Sequence, residues 1–523
     1  MFVVAGLRGE LRQSVGAPEL VRGWLVDFSS IFGRVVIEGG MKTHKRVVER
    51  VADEISNVEL GDERRTKRVK RIVEKLAKNP AVSLPAALGN DAEVQGAYRL
   101  MNNEAVDFDS VLTPHLDATA QKAAEKREVL ALHDTTDCTF PTLDPTEIGF
   151  LNTGKAGFRL HYTLVVDGDV WRRPLGVIYA ETLHRSKPPR RKNTRKRKKK
   201  SGAQTIQKTD REFERWSRGI LAASEGLKQC DNVIHVADRE GDSYELMSTL
   251  FAAKQRFIIR LRVNRRGREN EADDGAWSTV QEIASRCDGL LERQVPLSRR
   301  KAKGTPRMNK AHPPRKMRLA KLRFAATTVV IPRPSYLRDP IPRELTLNLV
   351  HVFEVDAPPN EKPVEWFLYT TEAIDTPEQV AAIVDKYRTR WTIEEFNAAL
   401  KTGCAYESRQ FESRHALLNM LAISLPIACE VLWLRSRART QPNAPGTDVA
   451  SPVQIELLRM LGSRKLSTNP TAEEILLAVA GLGGHLKRNG PPGWKVLYRG
   501  MTLLLAYEAG WHARDGIRRE TEM

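Results

Sequence analysis

Two aspartates stand where short apolar runs give way to polar residues. Asp134 follows the run at residues 128–133, and Asp238 follows the run at residues 232–237. Such runs are typical of buried strands, and an α/β sheet places its site residues at strand ends. Two carboxylates at neighbouring strand ends suit hard divalent cations such as Mg²⁺. Taken singly, each aspartate is more often a turn former or a helix cap.

A third carboxylate lies on a helix predicted over residues 377–401. At about 100° per residue, one band roughly 60° wide on this helix contains four residues: Tyr387, Arg390, Glu394 and Lys401. Glu395 falls outside the band, so the spacing selects Glu394. An anion beside two cations and a phenol suits a metal ligand next to phosphates, because Arg forks a phosphate and Lys supplies a point charge. For an isolated helix, a solvated face with one Arg390–Glu394 ion pair is the commoner alternative.

The elements that carry these residues follow the order strand, strand, strand, helix, strand, helix, strand. The strands are predicted at residues 128–133, 160–166, 175–179, 232–237 and 256–262, with helices at 207–225 and 243–254. This is the ribonuclease H-like order. The predicted fold class is α/β, with a ribonuclease H-like catalytic core interrupted by a mainly β insertion and flanked by helical N-terminal and C-terminal domains.

The chain is strongly basic, with 84 Lys and Arg against 65 Asp and Glu, a net charge of +19 and a pI near 9.7. This balance predicts a polyanionic partner, nucleic acid before an anionic membrane. Part of the charge lies on an amphipathic helix that contains Arg64, Arg65 and Arg68, and part at residues 190–200, nine of which are Lys or Arg. A solvated helix face and a solvated loop are the alternatives for these two segments.

Cysteine usage and hydropathy exclude two further classes of protein. The five cysteines are widely spaced and form no CxxC pair, which argues against a disulfide framework or a cysteine zinc site and fits a reducing cytoplasm. The most apolar window, residues 416–434, contains Asn419, Pro426 and Glu430. It therefore predicts a core helix rather than a membrane span.

The residues on the predicted helix resemble a known family. The spacing Tyr-x2-Arg-x3-Glu-x6-Lys, at Tyr387, Arg390, Glu394 and Lys401, is the YREK signature of bacterial DDE transposases of the insertion-sequence-four (IS-four) group. Other motifs that resemble the group follow in order along the chain: residues 60–66 (LGDERRT), 95–99 (QGAYR), 133–136 (HDTT), 237–240 (ADRE), 366–371 (WFLYTT), 390–396 (RWTIEEF) and 401–403 (KTG). The similarity covers roughly residues 55–435, and residues 490–494 (GPPGW) resemble the C-terminal region of many members.

The resemblance implies an activity and a catalytic triad. Asp134, Asp238 and Glu394 match the carboxylates that bind two Mg²⁺ ions, for which Mn²⁺ can substitute. The implied reaction is cut-and-paste transposition: phosphodiester hydrolysis at terminal inverted repeats, then strand transfer of the freed 3′-hydroxyl into target DNA. The implied partners are double-stranded DNA and a second copy of the chain in a homodimeric synaptic complex. A cytoplasmic, nucleoid-associated location follows.

The resemblance also implies DNA contacts. Tyr387, Arg390 and Lys401 match residues that grip DNA near the cut end, and Trp366 matches an aromatic that stacks on a flipped base during hairpin formation. A core Trp is the alternative for Trp366, and a helix cap is the alternative for Arg239, which is otherwise expected to contact DNA. In the N-terminal region, the terminal-repeat reader of the family implies DNA contacts by Arg64, Arg65 and Arg68. Compared with a related transposase, Tyr244, Ala398 and Gln410 replace His, Lys and Arg, which leaves details of end binding open.

Six segments follow from the pattern and the resemblance together. They are an extension (1–40), a helical DNA-binding domain (41–126), the first part of the core (127–263), the β insertion (264–362), the second part of the core with the Glu394 helix (363–440) and a helical C-terminal domain for dimerisation (441–523). Two other functions stay open: a catalytically inactive DNA-binding inhibitor of transposition, and a ribonuclease H-like nuclease without strand transfer. An intact triad argues against the first, and the basic N-terminal helix and the YREK face argue against the second.

Overall fold

The computed structural model describes residues 47–55, 57–188, 210–269, 277–297, 299, 300, 302, 306, 309, 313–486, 488 and 492–521. The predicted extension at 1–40 and the basic run at 190–200 lie outside these residues. By its contacts the chain divides into two units. Among the described residues, those within 44–290, 325–351 and 366–523 form the larger unit, and those within 291–324 and 352–365 form the smaller unit.

The larger unit begins with helices, as the sequence predicts. They are α1 (Val47–Ile55), α2 (Glu63–Lys78), α3 (Leu84–Leu88), α4 (Asp91–Met101) and α5 (Phe108–Ala124). Asp62 caps the basic helix α2 by accepting a hydrogen bond from the Arg64 backbone. The apolar stripe of α2 is buried, and its basic residues are left toward solvent. Gly96 on α4 lets Arg68 approach, because a Cβ there would lie 1.4 Å from the guanidinium.

A mixed sheet follows, built on five strands and three helices. Its strands are β1 (Val129–Thr139), β2 (Gly157–Asp167), β3 (Pro174–Leu183), β4 (Val233–Ala237) and β5 (Arg256–Arg260), and its helices are α6 (Pro145–Ile148), α7 (Asp210–Gly226) and α8 (Tyr244–Ala252). The strand order is β3-β2-β1-β4-β5, in which β1–β4 and β4–β5 are parallel and β1–β2 and β2–β3 antiparallel. This mixed α/β sheet is consistent with the predicted ribonuclease H-like fold.

The first strand is longer than predicted. The sequence places its end before Asp134, but β1 continues to Thr139 and pairs with β2 along its whole length. Only the parallel pairing with β4 stops near the aspartate, at His133 and Ala237. Asp134 therefore lies within a strand, at the point where the parallel neighbour ends.

The region predicted as an insertion is mainly β. It contains β6 (Arg266–Glu269), β7 (Ser278–Thr279), α9 (Val280–Ser285), β8 (Leu291–Leu297), β9 (Arg318–Pro332) and β10 (Glu344–Val355), and β11 (Glu365–Thr370) follows. The sheet continues from β5 through β11, β10, β9, β6 and β7. Within the smaller unit, β8 pairs with residues 318–324 of β9, and Arg318 makes ion pairs with Glu354 and Glu361.

The C-terminal part of the larger unit is helical. Its helices are α10 (Pro377–Thr389), α11 (Trp391–Ala398), α12 (Arg414–Thr440), α13 (Pro452–Leu461), α14 (Ala472–Leu482) and α15 (Trp494–Thr521), with a π-helical segment at Ala399–Gly403. Short 3₁₀ turns occur at Arg239–Gly241, Tyr406–Ser408 and Gly446–Asp448. Among the described residues, α12 alone is long and apolar enough to cross a membrane, but 82% of its most apolar window is buried inside the protein. This burial agrees with the predicted core helix.

The predicted continuous helix over residues 377–401 is wrong in one respect. It divides at Arg390 into α10 and α11 and then widens into the π-helical segment. A π-turn contains more residues than an α-turn, so positions beyond Ala398 rotate away from the face that a regular helix gives them. Lys401 lies within this segment.

Candidate active site

The two predicted aspartates meet at one edge of the β1–β4 pair. Asp134 follows His133, the last residue of β1 that pairs with β4, and Asp238 follows the last residue of β4, Ala237. The carboxylate of Asp238 also accepts a 2.7 Å hydrogen bond from the backbone N–H of Glu240, at the start of a 3₁₀ turn. The helix-cap alternative is thus true of Asp238, and its position beside Asp134 is true as well.

The surroundings of the Asp134 carboxyl disfavour its charged form. Burial raises its pKa most, repulsion from Asp238 adds to this, and the nearby Glu394 carboxylate contributes in the same direction. Arg390 acts in the opposite sense, and the resulting pKa is about 7. Asp238 and Glu394 therefore lie near enough to Asp134 to raise its pKa.

Asn397 is a candidate site residue that the sequence alone did not indicate. Its Nδ2 donates to the Asp134 carboxylate at 3.4 Å, and its Oδ1 accepts a 2.9 Å hydrogen bond from the Tyr162 hydroxyl. This fixes the orientation of the amide against Asp134. The signal was present, because Asn397 stands three residues after Glu394 and so lies on the same side of the helix.

The neighbouring glutamates of α11 have different partners. Glu394 lies 3.8 Å from Arg390, and its side chain is 46% exposed. Glu395 instead pairs with Arg439 of α12 and lies 3.8 Å from Arg435 on the same helix. Glu395 thereby joins α11 to α12, whereas Glu394 is nearly half exposed.

The other residues of the predicted band lie in unlike surroundings. Tyr387 is buried, and Arg390 is largely buried. Burial opposes the charge of Arg390, but Tyr387 and the neighbouring carboxylates outweigh it and raise its pKa. Lys401 donates to the backbone carbonyl of Asp137 on β1 and lies 3.5 Å from Glu407. The band is therefore retained near Arg390 and Glu394, and Lys401 contacts β1.

Trp366 is half-buried at the start of β11. Its ring meets that of Tyr387 edge to face, with 5.8 Å between centroids, and the guanidinium of Arg260 lies 5.5 Å from its centroid. Phe367, the next residue, is buried in the core. Trp366 is thus neither a fully buried core residue nor a free surface residue. Arg239 is exposed in the 3₁₀ turn next to Asp238.

The three N-terminal arginines of α2 differ in accessibility. Arg64 and Arg68 are exposed, whereas Arg65 is half-buried and donates to the carbonyl of Leu60 at 3.1 Å. One donor of Arg65 therefore holds the loop before α2. Arg71 of the same helix pairs with Glu93 of α4.

The donor set is chemically suited to a divalent cation. Carboxylate oxygens are the ligands that Mg²⁺ prefers, and a cation would relieve the repulsion that raises the pKa of Asp134. In the part of the chain that the structure describes, no three His, Cys, Asp or Glu side chains are grouped closely enough to hold a metal ion. The triad stays a prediction at this point.

Comparison with protein families identifies two regions of the chain. Residues 49–106 match the family model described as transposase DNA-binding, and residues 217–428 match the transposase DDE domain. The chain thus carries the two domains of a DDE transposase. DNA is therefore its partner, and DNA processing is its enzymatic activity. Members of the DDE domain family generally use divalent metals.

The two matches locate most of the candidate residues. The DNA-binding match contains Arg64, Arg65 and Arg68 on α2. The DDE match contains Asp238, Glu394 and the residues around them, and it begins after Asp134. The link between Asp134 and the DDE site rests on the geometry of β1 and β4.

Proposed function

We propose that this DDE transposase carries out cut-and-paste transposition as a member of the IS-four group with the YREK signature. It would hydrolyse phosphodiesters at terminal inverted repeats and join the freed 3′ ends to target DNA. The observation that carries the proposal is the parallel pairing of β1 with β4, which ends one residue before Asp134 and one residue before Asp238, in a chain whose DDE match spans Asp238 and Glu394. In this proposal the enzyme works in the cytoplasm, associated with the nucleoid.

The three carboxylates would hold two Mg²⁺ ions, or Mn²⁺ in their place. When bound, these ions supply Lewis-acid activation of water and then of the 3′-hydroxyl, and they neutralise charge on the phosphate. The chain provides the positions of the ligands: β1 carries Asp134, Asp238 follows directly after β4, Asn397 orients Asp134, and α11 carries Glu394. No covalent link between enzyme and DNA is needed, because phosphoryl transfer depends on positioning and charge stabilisation.

Cationic and aromatic side chains around the carboxylates would hold the DNA end. Arg390 lies 3.8 Å from Glu394 and is near enough to both aspartates for their charges to raise its pKa, so it could bind a phosphate at the site, and Arg239 is exposed beside Asp238. Tyr387 supports Trp366, which would stack on a base drawn out of the helix. Lys401 would bind DNA by exchanging its contact with Glu407 for a phosphate.

The α2 arginines would read the terminal repeat, with Arg64 and Arg68 more accessible than Arg65. Two copies of the chain would be needed to bring two transposon ends together, so the active complex is proposed to be a homodimer.

We expect Glu394→Ala to abolish cleavage of terminal-repeat DNA in Mg²⁺ and to leave DNA binding within a few-fold of wild type. The reason is that Glu394 is proposed as a metal ligand, whereas binding depends on cations elsewhere. The measurement is cleavage on a labelled terminal-repeat duplex, with binding followed by gel shift. Glu395→Gln is the matched control, because it keeps an acceptor for Arg439 and should cleave normally.

Residual metal-dependent cutting by Glu394→Ala, together with loss of cutting by Glu395→Gln, would show that the other glutamate is the ligand. Cleavage by the wild type without any joining to target DNA would contradict transposition and favour a nuclease.

A further inference from the structure

Arg215 of α7 is a buried arginine that the sequence analysis did not select. Its side chain is 6% exposed. The guanidinium Nε donates to the hydroxyl of Thr135 at 3.0 Å, and Nη2 donates to the carboxylate of Glu240 at 3.0 Å. One side chain on a helix thus joins a residue of β1 to a residue just beyond β4.

Both partners of Arg215 stand next to a predicted catalytic aspartate. Thr135 follows Asp134 directly. Glu240 is the residue whose backbone N–H donates to the Asp238 carboxylate at 2.7 Å. One end of the Arg215 bridge is therefore adjacent in sequence to Asp134, and the other end is hydrogen-bonded to Asp238.

A second hydrogen bond fixes Thr135. Its hydroxyl also lies within hydrogen-bonding distance of Nδ1 of His161, 2.9 Å away. Arg215 and His161 therefore hold the Thr135 side chain from two sides.

The bridge lies where the backbone pairing ends. The parallel pairs between β1 and β4 stop at His133 and Ala237, one residue before each aspartate. Beyond that point the two carboxylates repel each other. We propose that Arg215 is a positioning residue that holds Asp134 and Asp238 at a fixed separation, so that they bind metal without prior rearrangement. This role rests on the proposed metal-dependent function.

The test measures metal binding apart from catalysis, in the full-length protein. Mn²⁺ affinity without DNA is determined by electron paramagnetic resonance of free Mn²⁺, and the Mg²⁺ concentration for half-maximal cleavage is determined on terminal-repeat DNA. We expect Arg215→Gln to weaken both by about 10-fold or more, as loss of residues that orient metal ligands does. Binding of terminal-repeat DNA without metal should be unchanged.

Two further variants examine the bridge itself. Glu240→Gln removes the charge of the carboxylate that Arg215 contacts. The Glu240 side chain is half exposed, so this variant should fold even if Arg215→Gln does not. It should weaken Mn²⁺ binding in the same direction. The double variant should be no weaker than Arg215→Gln alone, because both changes break the same bridge. Arg215→Lys should bind Mn²⁺ more tightly than Arg215→Gln but less tightly than wild type, since an ammonium lacks the planar fork of a guanidinium.

The matched control is another arginine–glutamate pair in the larger unit. Arg256 of β5 contacts Glu372 through two hydrogen bonds of 2.8 Å and 2.6 Å. Arg256→Gln should lower the melting temperature and leave Mn²⁺ affinity unchanged.

The outcomes separate this inference from the proposed function. Wild-type protein that binds Mn²⁺ and cleaves, alongside Arg215→Gln and Glu240→Gln with unchanged Mn²⁺ affinity, would make Arg215 merely structural, like the control pair. Wild-type protein that neither binds Mn²⁺ nor cuts would contradict the proposed function, and the positioning role with it.

Discussion

Asp134 keeps its proton to higher pH than an ordinary carboxyl because burial and neighbouring carboxylates disfavour its charge. If Asp134 had only a structural role, this raised pKa would destabilise the folded protein without a functional benefit. At a site that binds a cation it is the expected state of the metal-free protein, because the same repulsion becomes attraction once positive charge is present. The raised pKa and the strand geometry therefore indicate the same function for Asp134.

The raised pKa of Asp134 predicts how the stability of the metal-free protein depends on pH. Between about pH 4, where an unfolded Asp ionises, and about pH 7, where folded Asp134 does, the folded state binds the extra proton. The free energy of unfolding contributed by this group therefore falls as pH rises. Asp134→Asn removes the charge and keeps an acceptor for Asn397, so it should be more stable than wild type above pH 7. The expected gain is on the order of 2–4 kcal/mol, vanishing near pH 4.

The measurement is urea unfolding of both proteins in EDTA at several pH values. Addition of Mg²⁺ should stabilise the wild type and leave Asp134→Asn unchanged. A stability difference that is constant from pH 4 to pH 8 would contradict the raised pKa as its cause.

Individual residues could be predicted from the sequence where a local rule applied. Helical phase separated Glu394 from Glu395, and the structure gives these two glutamates different partners. Arg215 could not be found in this way, because its partners Thr135 and Glu240 are distant in sequence and meet only through the fold. Asn397 falls between these cases, since its offset from Glu394 was visible but its contact with Asp134 was not.

At the scale of elements, the errors have identifiable causes. The predicted first strand covers the part of β1 that is buried on both sides and therefore continuously apolar. The remainder, from Asp134 to Thr139, alternates in burial and contains polar residues, so it looked like a loop. Beyond the helix break at Arg390, α11 packs against β1 and the π-helical segment packs against α12, contacts that a regular periodicity does not include.

Trp366 lies at the start of β11, and its truncation distinguishes a core role from a role in DNA binding. A core Trp cut to Ala costs about 3–5 kcal/mol of stability, whereas a stacked base is worth about 1–3 kcal/mol and only in the DNA complex. Because Trp366 is half-buried against Tyr387 and Arg260, we expect Trp366→Ala to fall below the core range. It should nick DNA almost normally and accumulate the nicked intermediate, because the next step requires the flipped base.

The matched control for this prediction is Phe367→Ala, which truncates a buried aromatic on the same strand. It should lower the melting temperature more than Trp366→Ala does and reduce all steps together. A large melting shift in Trp366→Ala with equal loss of nicking would make Trp366 a core residue and remove it from the proposed site.

At the scale of the whole molecule, the order of the first five strands was predictable and the rest of the sheet was not. Strands β1, β2 and β3 are antiparallel neighbours that follow one another along the chain, and α8 joins the parallel neighbours β4 and β5. The neighbour of β5 is β11, roughly a hundred residues later, so nothing near β5 in sequence indicates that the sheet continues through the predicted insertion. The charge of the chain was informative at this scale, because a net charge of +19 predicted a polyanionic partner, and the DNA-binding match identifies that partner as DNA.

The basic run at residues 190–200 supports a prediction of its own. Nine of its eleven residues are Lys or Arg and none is acidic, so its deletion lowers the net charge from +19 to +10 (19 − 9). We propose that it binds DNA phosphates without reading sequence. Deletion should then weaken binding of terminal-repeat and random duplexes by similar factors. It should also reduce the slope of log affinity against log salt concentration by about 0.9 for each lost phosphate contact.

The measurement is fluorescence anisotropy across a salt series, on a variant in which a Gly-Ser linker of equal length replaces residues 190–200. Loss of affinity for the terminal repeat alone would show that the run reads sequence, and an unchanged slope would show that it does not bind DNA.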